Sequence, residues 1–296
     1  MTSKQIGVVA AVSTIICWSL AYAAVKIAVT QYSPLEMTFV RLVAASIVLG
    51  AISFFAKESV PKAKDLPYFA VLGLLGHALY SPVLSLGLTR VPASTASFII
   101  ASAPIFMVII GKFSNPEPLT LFGKIGMAIS FLGVGIVSVG RGGLQSLDWF
   151  ALIVLCAALL QAFYSMGQRP LLKSYSGLQV ITYSVFFATL FMSPWAASSW
   201  TRTVSGTLTP LLCTLYMGVI TTAFGYWTWA QTIKKLPVAK AAAFLYAIPA
   251  ATIVVAWLFL HEIPTVVSVG GGALILTGVA LVQPFGQPEP TKKSPA

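Results

Sequence analysis

Charged side chains are scarce in this sequence. Asp, Glu, Lys and Arg together make up 8% of its 296 residues, while hydrophobic residues make up 57%. A soluble domain carries about 25% charged residues, so this chain cannot cover itself with a solvated surface. The composition excludes an ordinary soluble protein and predicts that much of the chain lies in a lipid bilayer.

Acidic residues are especially few. All seven fall in predicted loops or at predicted helix ends: Glu36, Glu58, Asp65, Glu117, Asp148, Glu262 and Glu289. Ionisable groups at membrane depth are costly and usually functional. The lack of a carboxylate near the bilayer midplane argues against a proton antiporter that uses a buried carboxylate. An intramembrane enzyme would also need a nucleophile, a metal or a carboxylate pair at depth, so we predict no catalytic residue and no enzymatic activity.

Cysteine and histidine are equally rare. Cys17, Cys156 and Cys213 each sit alone in an apolar run, without the CxxC spacing of metal or redox sites. The two histidines, His77 and His261, lie at different predicted depths, so neither a metal site nor a cofactor is predicted. The net charge of +11 comes from basic residues scattered singly, which argues against nucleic acid as a partner.

What the sequence has instead is long hydrophobic runs. About 20 apolar residues cross a hydrocarbon core as a helix. No alternation of period two is present, which argues against a barrel. Ten helical spans are predicted: 6–27, 34–56, 67–88, 92–112, 119–139, 148–168, 178–198, 209–233, 238–260 and 265–284.

Lys and Arg predict the orientation of these spans. When the ten spans are threaded through a bilayer, 13 of the 18 basic residues fall on the side of the N-terminus. The other five are Lys26, Arg41, Arg90, Arg141 and Arg202. Because basic residues collect on the cytoplasmic side, both termini are predicted to be cytoplasmic.

The two halves of the chain resemble each other. At an offset of 145 residues, Pro92 falls on Pro237, Pro104 on Pro249, Glu117 on Glu262, Gly126 on Gly271 and Gly133 on Gly278. Residues 18–34 match 161–177 more weakly, at an offset of 143. Each copy holds five spans, so the copies insert with opposite orientations, as in transporters with a midplane substrate site. We predict an all-α polytopic membrane protein with two inverted five-helix repeats, 1–145 and 146–284, and a cytoplasmic tail, 285–296.

The sequence also resembles a known family, the EamA branch of the drug/metabolite transporter superfamily. The residues that carry the likeness are Trp18-Ser19, Pro34, Phe39, Arg41, Gly87-Leu88, the helices of Pro104 and Pro249, and the loops of Glu117 and Glu262. The resemblance implies a central cavity lined by helices 1–4 and 6–9, with helices 5 and 10 at the periphery. One departure is the segment Phe113-Ser114-Asn115-Pro116, where the family usually has an apolar stretch and then Gly-Glu.

Three ionisable residues are candidates for binding substrate. His77, about halfway along the third span, either binds a carboxylate or a proton, or is a neutral imidazole bonded to a neighbouring helix. Arg41 either holds an anionic group bidentately or extends to the outer interface. Lys240, at the start of the ninth span, either reaches an anion or faces cytoplasmic water.

Aromatic and amide side chains form the larger set of predicted substrate-binding residues. Tyr80 shares a helix face with His77, and Tyr164 shares one with Gln161. Aromatic faces with hydroxyl or amide tips suit an amphipathic metabolite. The full predicted set is Trp18, Tyr22, His77, Tyr80, Gln161, Tyr164, Tyr226, Trp229 and Tyr246.

Proline and glycine predict the backbone features. Pro104 and Pro249 lie about midway along their predicted helices and act either as hinges for rocking or as fixed bends. The glycines of helices 5 and 10 allow close packing, and a homodimer contact through them is possible.

The function that these features favour is secondary transport. We predict a multi-pass carrier in the bacterial inner membrane that works by alternating access and exports amino acids or amino-acid-like compounds. Its partners would be the small-molecule substrate and the lipid bilayer. An uptake carrier for a vitamin such as a flavin is the alternative, and a passive channel or an intramembrane enzyme is more remote.

Overall fold

A computed structural model describes residues 3–114, 121–139, 149–235, 244–245 and 247–285. Within these ranges the chain is helical, without β-strands. The α-helices are α1 Ser3–Ala28, α2 Pro34–Phe55, α3 Leu66–Gly73, α4 Tyr80–Leu88, α5 Ala93–Ile100, α6 Ala103–Ser114, α7 Leu121–Val139, α8 Trp149–Leu172, α9 Gly177–Phe191, α10 Ala196–Ser205, α11 Leu208–Tyr216, α12 Gly225–Lys235, α13 Ala247–Leu260 and α14 Val266–Phe285.

Several of these helices are long and apolar enough to cross a membrane. In the described ranges there are five, or six if the bent pair α9 and α10 is one span, and four shorter apolar helices accompany them. Large aliphatic side chains face outward, with Ile47 67% and Leu190 64% exposed, whereas the hydroxyls of Thr14 and Thr252 are buried. Apolar surface outside and polar groups inside is the arrangement that a lipid solvent favours. The protein is therefore a polytopic helical membrane protein.

The starts of α2 and α9 are set by the same local chemistry. Ser33 accepts a hydrogen bond from the backbone N–H of Glu36, and the Glu36 side chain accepts one from the backbone of Ser33. Ser176 and Gln179 make the same reciprocal pair at the start of α9. Each capping box satisfies two backbone donors that a helix N-terminus leaves unpaired.

Two π-helical segments interrupt what the sequence predicted as the continuous helices 67–88 and 209–233. Leu74–Leu79 joins α3 to α4, and Met217–Phe224 joins α11 to α12. A glycine lies at the start of each: Gly73 directly precedes the first segment, and Gly218 is the second residue of the second. A Cβ on Gly73 would lie 2.3 Å from the Ser184 carbonyl oxygen, and one on Gly218 would lie 2.5 Å from the Arg41 carbonyl oxygen. The wider π turn re-aims the side chains it carries, which is why such turns occur at functional positions.

Two predicted spans are wrong in their continuity. The span 92–112 consists of α5 and α6, separated at Ala101-Ser102, and Pro104 is the second residue of α6 rather than a mid-helix residue. The span 178–198 ends at Phe191 and turns by 54° into a further helix that reaches Ser205. In both places a proline follows the break, because its ring cannot accept the geometry of the preceding helical turn.

The helices α7 and α14 pack against each other through glycine. A Cβ on Gly133 would lie 2.6 Å from the Gly271 carbonyl oxygen, and one on Gly278 would lie 2.3 Å from the Gly126 carbonyl oxygen. Backbones this close leave no room for side chains, as is common between membrane helices. The predicted close packing is therefore made within one chain, between the helices at the ends of the two sequence halves. The homodimer stays a prediction.

Candidate functional site

Aromatic rings from four helical segments meet around Tyr226 of α12. The ring centroid of Tyr226 lies 5.2 Å from that of Trp18, 5.3 Å from that of His77 and 5.9 Å from that of Tyr164. His77 and Tyr164 also contact each other, at 5.0 Å. Trp229 joins the group through Trp18, at 5.9 Å. These five residues, here called the aromatic cluster, come from both halves of the sequence.

The centre of the aromatic cluster is inside the protein, while Trp18 and Trp229 are partly buried. His77 is 1% exposed, Tyr164 2% and Tyr226 8%. The Gln161 side chain lies beside the phenol of Tyr226. Tyr22, also buried, and Tyr80 both lie within electrostatic range of Tyr226. The structure thus brings together eight of the nine predicted residues, and the ninth, Tyr246, lies outside the described residues.

Local structure explains how His77 and Tyr164 meet. His77 is in the π segment that follows α3, and Gly76 beside it has no side chain. A Cβ on Gly76 would lie 2.1 Å from the Tyr164 ring. The missing side chain therefore lets the ring of Tyr164 approach the π segment and contact the imidazole.

Arg41 of α2 also reaches the interior. Its side chain is 6% exposed, and its Nε donates a hydrogen bond of 2.9 Å to Oγ1 of Thr222 in the second π segment. Thr222 in turn donates to the Met217 carbonyl. The phenol groups of Tyr80 and Tyr226 lie within electrostatic range of the guanidinium. The side chain therefore lies inside the protein, and the alternative that it extends to the outer interface is wrong.

Three polar atoms on residues that contact Tyr226 are buried without a hydrogen-bond partner among the described residues. They are Nε1 of Trp18, Nε2 of His77 and Oε1 of Gln161. Buried polar atoms are nearly always paired, so each such atom calls for an explanation. Together they give the cluster one certain donor, one certain acceptor and an imidazole nitrogen that can act as either.

A second polar feature joins the two sequence halves near the end of α1. Nζ of Lys26 lies 2.6 Å from Oε1 of Glu262, and Oε2 of Glu262 accepts a hydrogen bond of 2.8 Å from the backbone N–H of Ala93. Ala93 is the first residue of α5, where backbone donors are unpaired and a negative charge is stabilised. Sequence reasoning missed this contact, although Glu262 was visible as a marker of the repeat.

The remaining predicted residues are placed as follows. Lys240 lies outside the described residues. Pro249 is the third residue of α13 and is buried, while Pro104 is partly buried at the start of α6. In the described ranges, no three His, Cys, Asp or Glu side chains come together in a way that could hold a metal ion. Sequence reasoning also missed Thr222. The only sign of its segment in the sequence was that Gly73 and Gly218 are 145 residues apart, which is the offset of the repeat.

Comparison with known proteins identifies the family. The sequence model of the EamA-like transporter family matches residues 5–139 and again residues 148–283. The chain belongs to the EamA-like transporter family. It is thus a member of a membrane transporter family, as the resemblance in the sequence predicted.

Individual members of the EamA-like family are similar over almost the whole chain. A protein of Streptantibioticus cattleyicolor named "Probable terminal-alkyne amino-acid exporter" is 32% identical over 273 residues, which is 92% of each chain. The "Uncharacterized transporter YdfC" of Bacillus subtilis is 27% identical, covering 88% of this chain and 86% of its own. One solved crystal structure is similar with a TM-score of 0.63 at 18% identity, covering 95% of this chain and 96% of the other, which shows the shared fold.

Proposed function

We propose that this protein is a secondary transporter of the bacterial inner membrane that exports amino acids or amino-acid-like compounds by alternating access. The observation that carries the proposal is the aromatic cluster: buried rings from both sequence halves, with polar atoms that have no partner among the described residues. Apolar faces with a few convergent polar groups are typical of small-molecule sites.

The proposed architecture is ten spans in two inverted repeats. Its support is that equivalent positions make equivalent contacts. The capping boxes at Ser33 and Ser176 are 143 residues apart, and the glycines at the starts of the π segments, Gly73 and Gly218, are 145 apart. The family model also matches two successive stretches of similar length. The bias of Lys and Arg supports cytoplasmic termini.

The proposed substrate class is supported by the cluster and by one relative. The relative from Streptantibioticus cattleyicolor is named as a probable exporter of a terminal-alkyne amino acid, and a terminal alkyne is an apolar group. An apolar side chain of this kind would pack on the rings of Trp18 and Trp229, while its polar end would meet the unpartnered atoms. An amphipathic amino acid therefore fits the cluster better than a sugar phosphate, which would need several cations.

Counterflow in proteoliposomes tests the proposal. Vesicles preloaded with unlabelled L-phenylalanine or propargylglycine should transiently accumulate the labelled compound, which a passive channel cannot do. Trp229→Ala should slow this accumulation at least tenfold because Trp229 belongs to the aromatic cluster. The matched control is Trp200→Ala, whose side chain is 71% exposed on α10 and should leave the rate unchanged.

Two results would contradict the proposal. Equal rates in the two tryptophan variants would separate transport from the aromatic cluster. Accumulation of a flavin but of neither amino acid would favour the alternative function, vitamin uptake.

A further inference from the structure

We infer that Arg41 is the carboxylate-binding residue of the interior site, so that the substrates are molecules with a carboxylate beside an apolar side chain. This inference rests on the proposed transport function and deepens it. It is carried by the surroundings of the guanidinium, by the repeat, and by the unpartnered polar atoms around Tyr226.

The first argument is the buried, incompletely paired charge. Arg41 is 94% buried, yet among the described residues it makes one hydrogen bond, from Nε to Thr222, and no described carboxylate lies within 4.0 Å. An uncompensated buried charge is strongly unfavourable. With Nε occupied by Thr222, the two Nη groups stay available as a planar fork, which matches the two oxygens of a carboxylate.

The second argument is that the fold does not need a cation at this position. In the repeat, Ser184 of α9 is the equivalent of Arg41, at the offset of 143 that also relates the two capping boxes. The two backbones make the same contact, because the carbonyl of Ser184 packs on Gly73 as the carbonyl of Arg41 packs on Gly218. A serine serves this packing in one half, so the guanidinium in the other half has a further role.

The third argument is the distribution of donors and acceptors around Tyr226. Arg41 supplies only donors, whereas Oε1 of Gln161 is an acceptor and Nε2 of a neutral His77 can be one. Both acceptor side chains contact Tyr226, and Tyr226 lies within electrostatic range of Arg41. A site that holds both donors and acceptors around one ring suits a carboxylate and an ammonium group on the same small molecule.

The experiment compares three probes that share a phenyl ring. L-Phenylalanine has a carboxylate and an ammonium group, 3-phenylpropanoate has the carboxylate alone, and L-phenylalaninamide has the ammonium alone. Their Kd values are measured by calorimetry on the full-length protein in nanodiscs. We expect both carboxylates to bind at least tenfold more tightly than the amide.

Variants assign this preference to Arg41. Arg41→Gln should reduce the preference for L-phenylalanine over its amide to about one, and Arg41→Lys should keep part of it. Arg169→Gln is the matched control, since Arg169 is exposed at the end of α8. If Arg41→Gln does not fold, Thr222→Val removes the hydrogen bond to Nε and should lower the preference severalfold. If Arg41 had only a structural role, its substitution would change the stability of the protein, or the affinities for L-phenylalanine and its amide together, without changing the ratio of the two affinities.

The outcomes separate this inference from the proposed function. Equal affinity of wild-type protein for L-phenylalanine and its amide, or an unchanged ratio in Arg41→Gln, would overturn the assignment of Arg41 and leave amino-acid transport standing. Binding of 3-phenylpropanoate alone, dependent on Arg41, would support the assignment and contradict amino-acid transport. Binding of none of the three probes would contradict both.

Discussion

The contact of Glu262 with Lys26 and Ala93 should hold one end of the transporter closed. Lys26 and Ala93 belong to the first predicted repeat and Glu262 to the second. If the halves rock against each other, opening at this end, which is predicted to face outside, must break the contact. Glu262→Gln keeps an acceptor for Ala93 and removes the charge.

The size of the effect follows from the two interactions. A hydrogen bond to a charged group contributes about 1.5–3 kcal/mol and one to a neutral group about 0.5–1.5 kcal/mol. The substitution Glu262→Gln therefore weakens the bond from Ala93 by about 1 kcal/mol. The ion pair, whose side chains are 19% and 22% exposed, adds up to about 1 kcal/mol. The total of about 2 kcal/mol corresponds to a change of roughly 30-fold in the ratio of open to closed protein.

The assay is the distance between spin labels on either side of the contact. Labels at Thr89 and Ile263, both exposed, in a cysteine-free background in nanodiscs should report a larger open fraction in Glu262→Gln. Lys26→Met should have a smaller effect, because Glu262 keeps its bond to Ala93. The control Lys64→Met, on an exposed lysine beyond α2, should have none. A ratio of open to closed protein in Glu262→Gln that stays within about twofold of the wild-type ratio would refute the reasoning.

Two further predictions concern stability in detergent. Gly278→Ala should lower the free energy of unfolding by about 1–3 kcal/mol, because its Cβ would lie 2.3 Å from the Gly126 carbonyl oxygen. The control Gly135→Ala should not lower it, because a Cβ there would have nothing within 4 Å. Equal melting temperatures of the two variants would contradict the packing. Ser33→Ala and Ser176→Ala should each lower the free energy of unfolding by about 1 kcal/mol through loss of a helix cap, measured by thermal melting. An unchanged melting temperature in either variant would contradict its capping box.

Helix positions could be predicted from the sequence wherever local chemistry sets them. The predicted spans 6–27 and 34–56 agree with Ser3–Ala28 and Pro34–Phe55 to within a few residues, since the turn at Ser33-Pro34 is encoded locally. The π segments were not predictable in this way. They accompany the approach of a distant carbonyl, that of Ser184 to Gly73 and that of Arg41 to Gly218.

The residues of the candidate site were largely predictable, but their arrangement was not. Aromatic and amide residues in apolar runs identified the members of the cluster, and their role in binding stays a prediction. The sequence left open whether Arg41 faces lipid headgroups or the interior, because a single position on a helix does not say what packs against it. Its bond to Thr222, 181 residues away, decides this.

The glycine contact between α7 and α14 has a consequence for how such a chain could have arisen. Each helix offers a glycine surface that the backbone of the other helix approaches closely. A single unduplicated half would carry this surface without a partner. Under the proposed topology it would have to insert in the membrane in both orientations and pair with an oppositely inserted copy. Fusion of two copies into one chain fixes both orientations at once, and the basic residues of each half can then specialise for one of them.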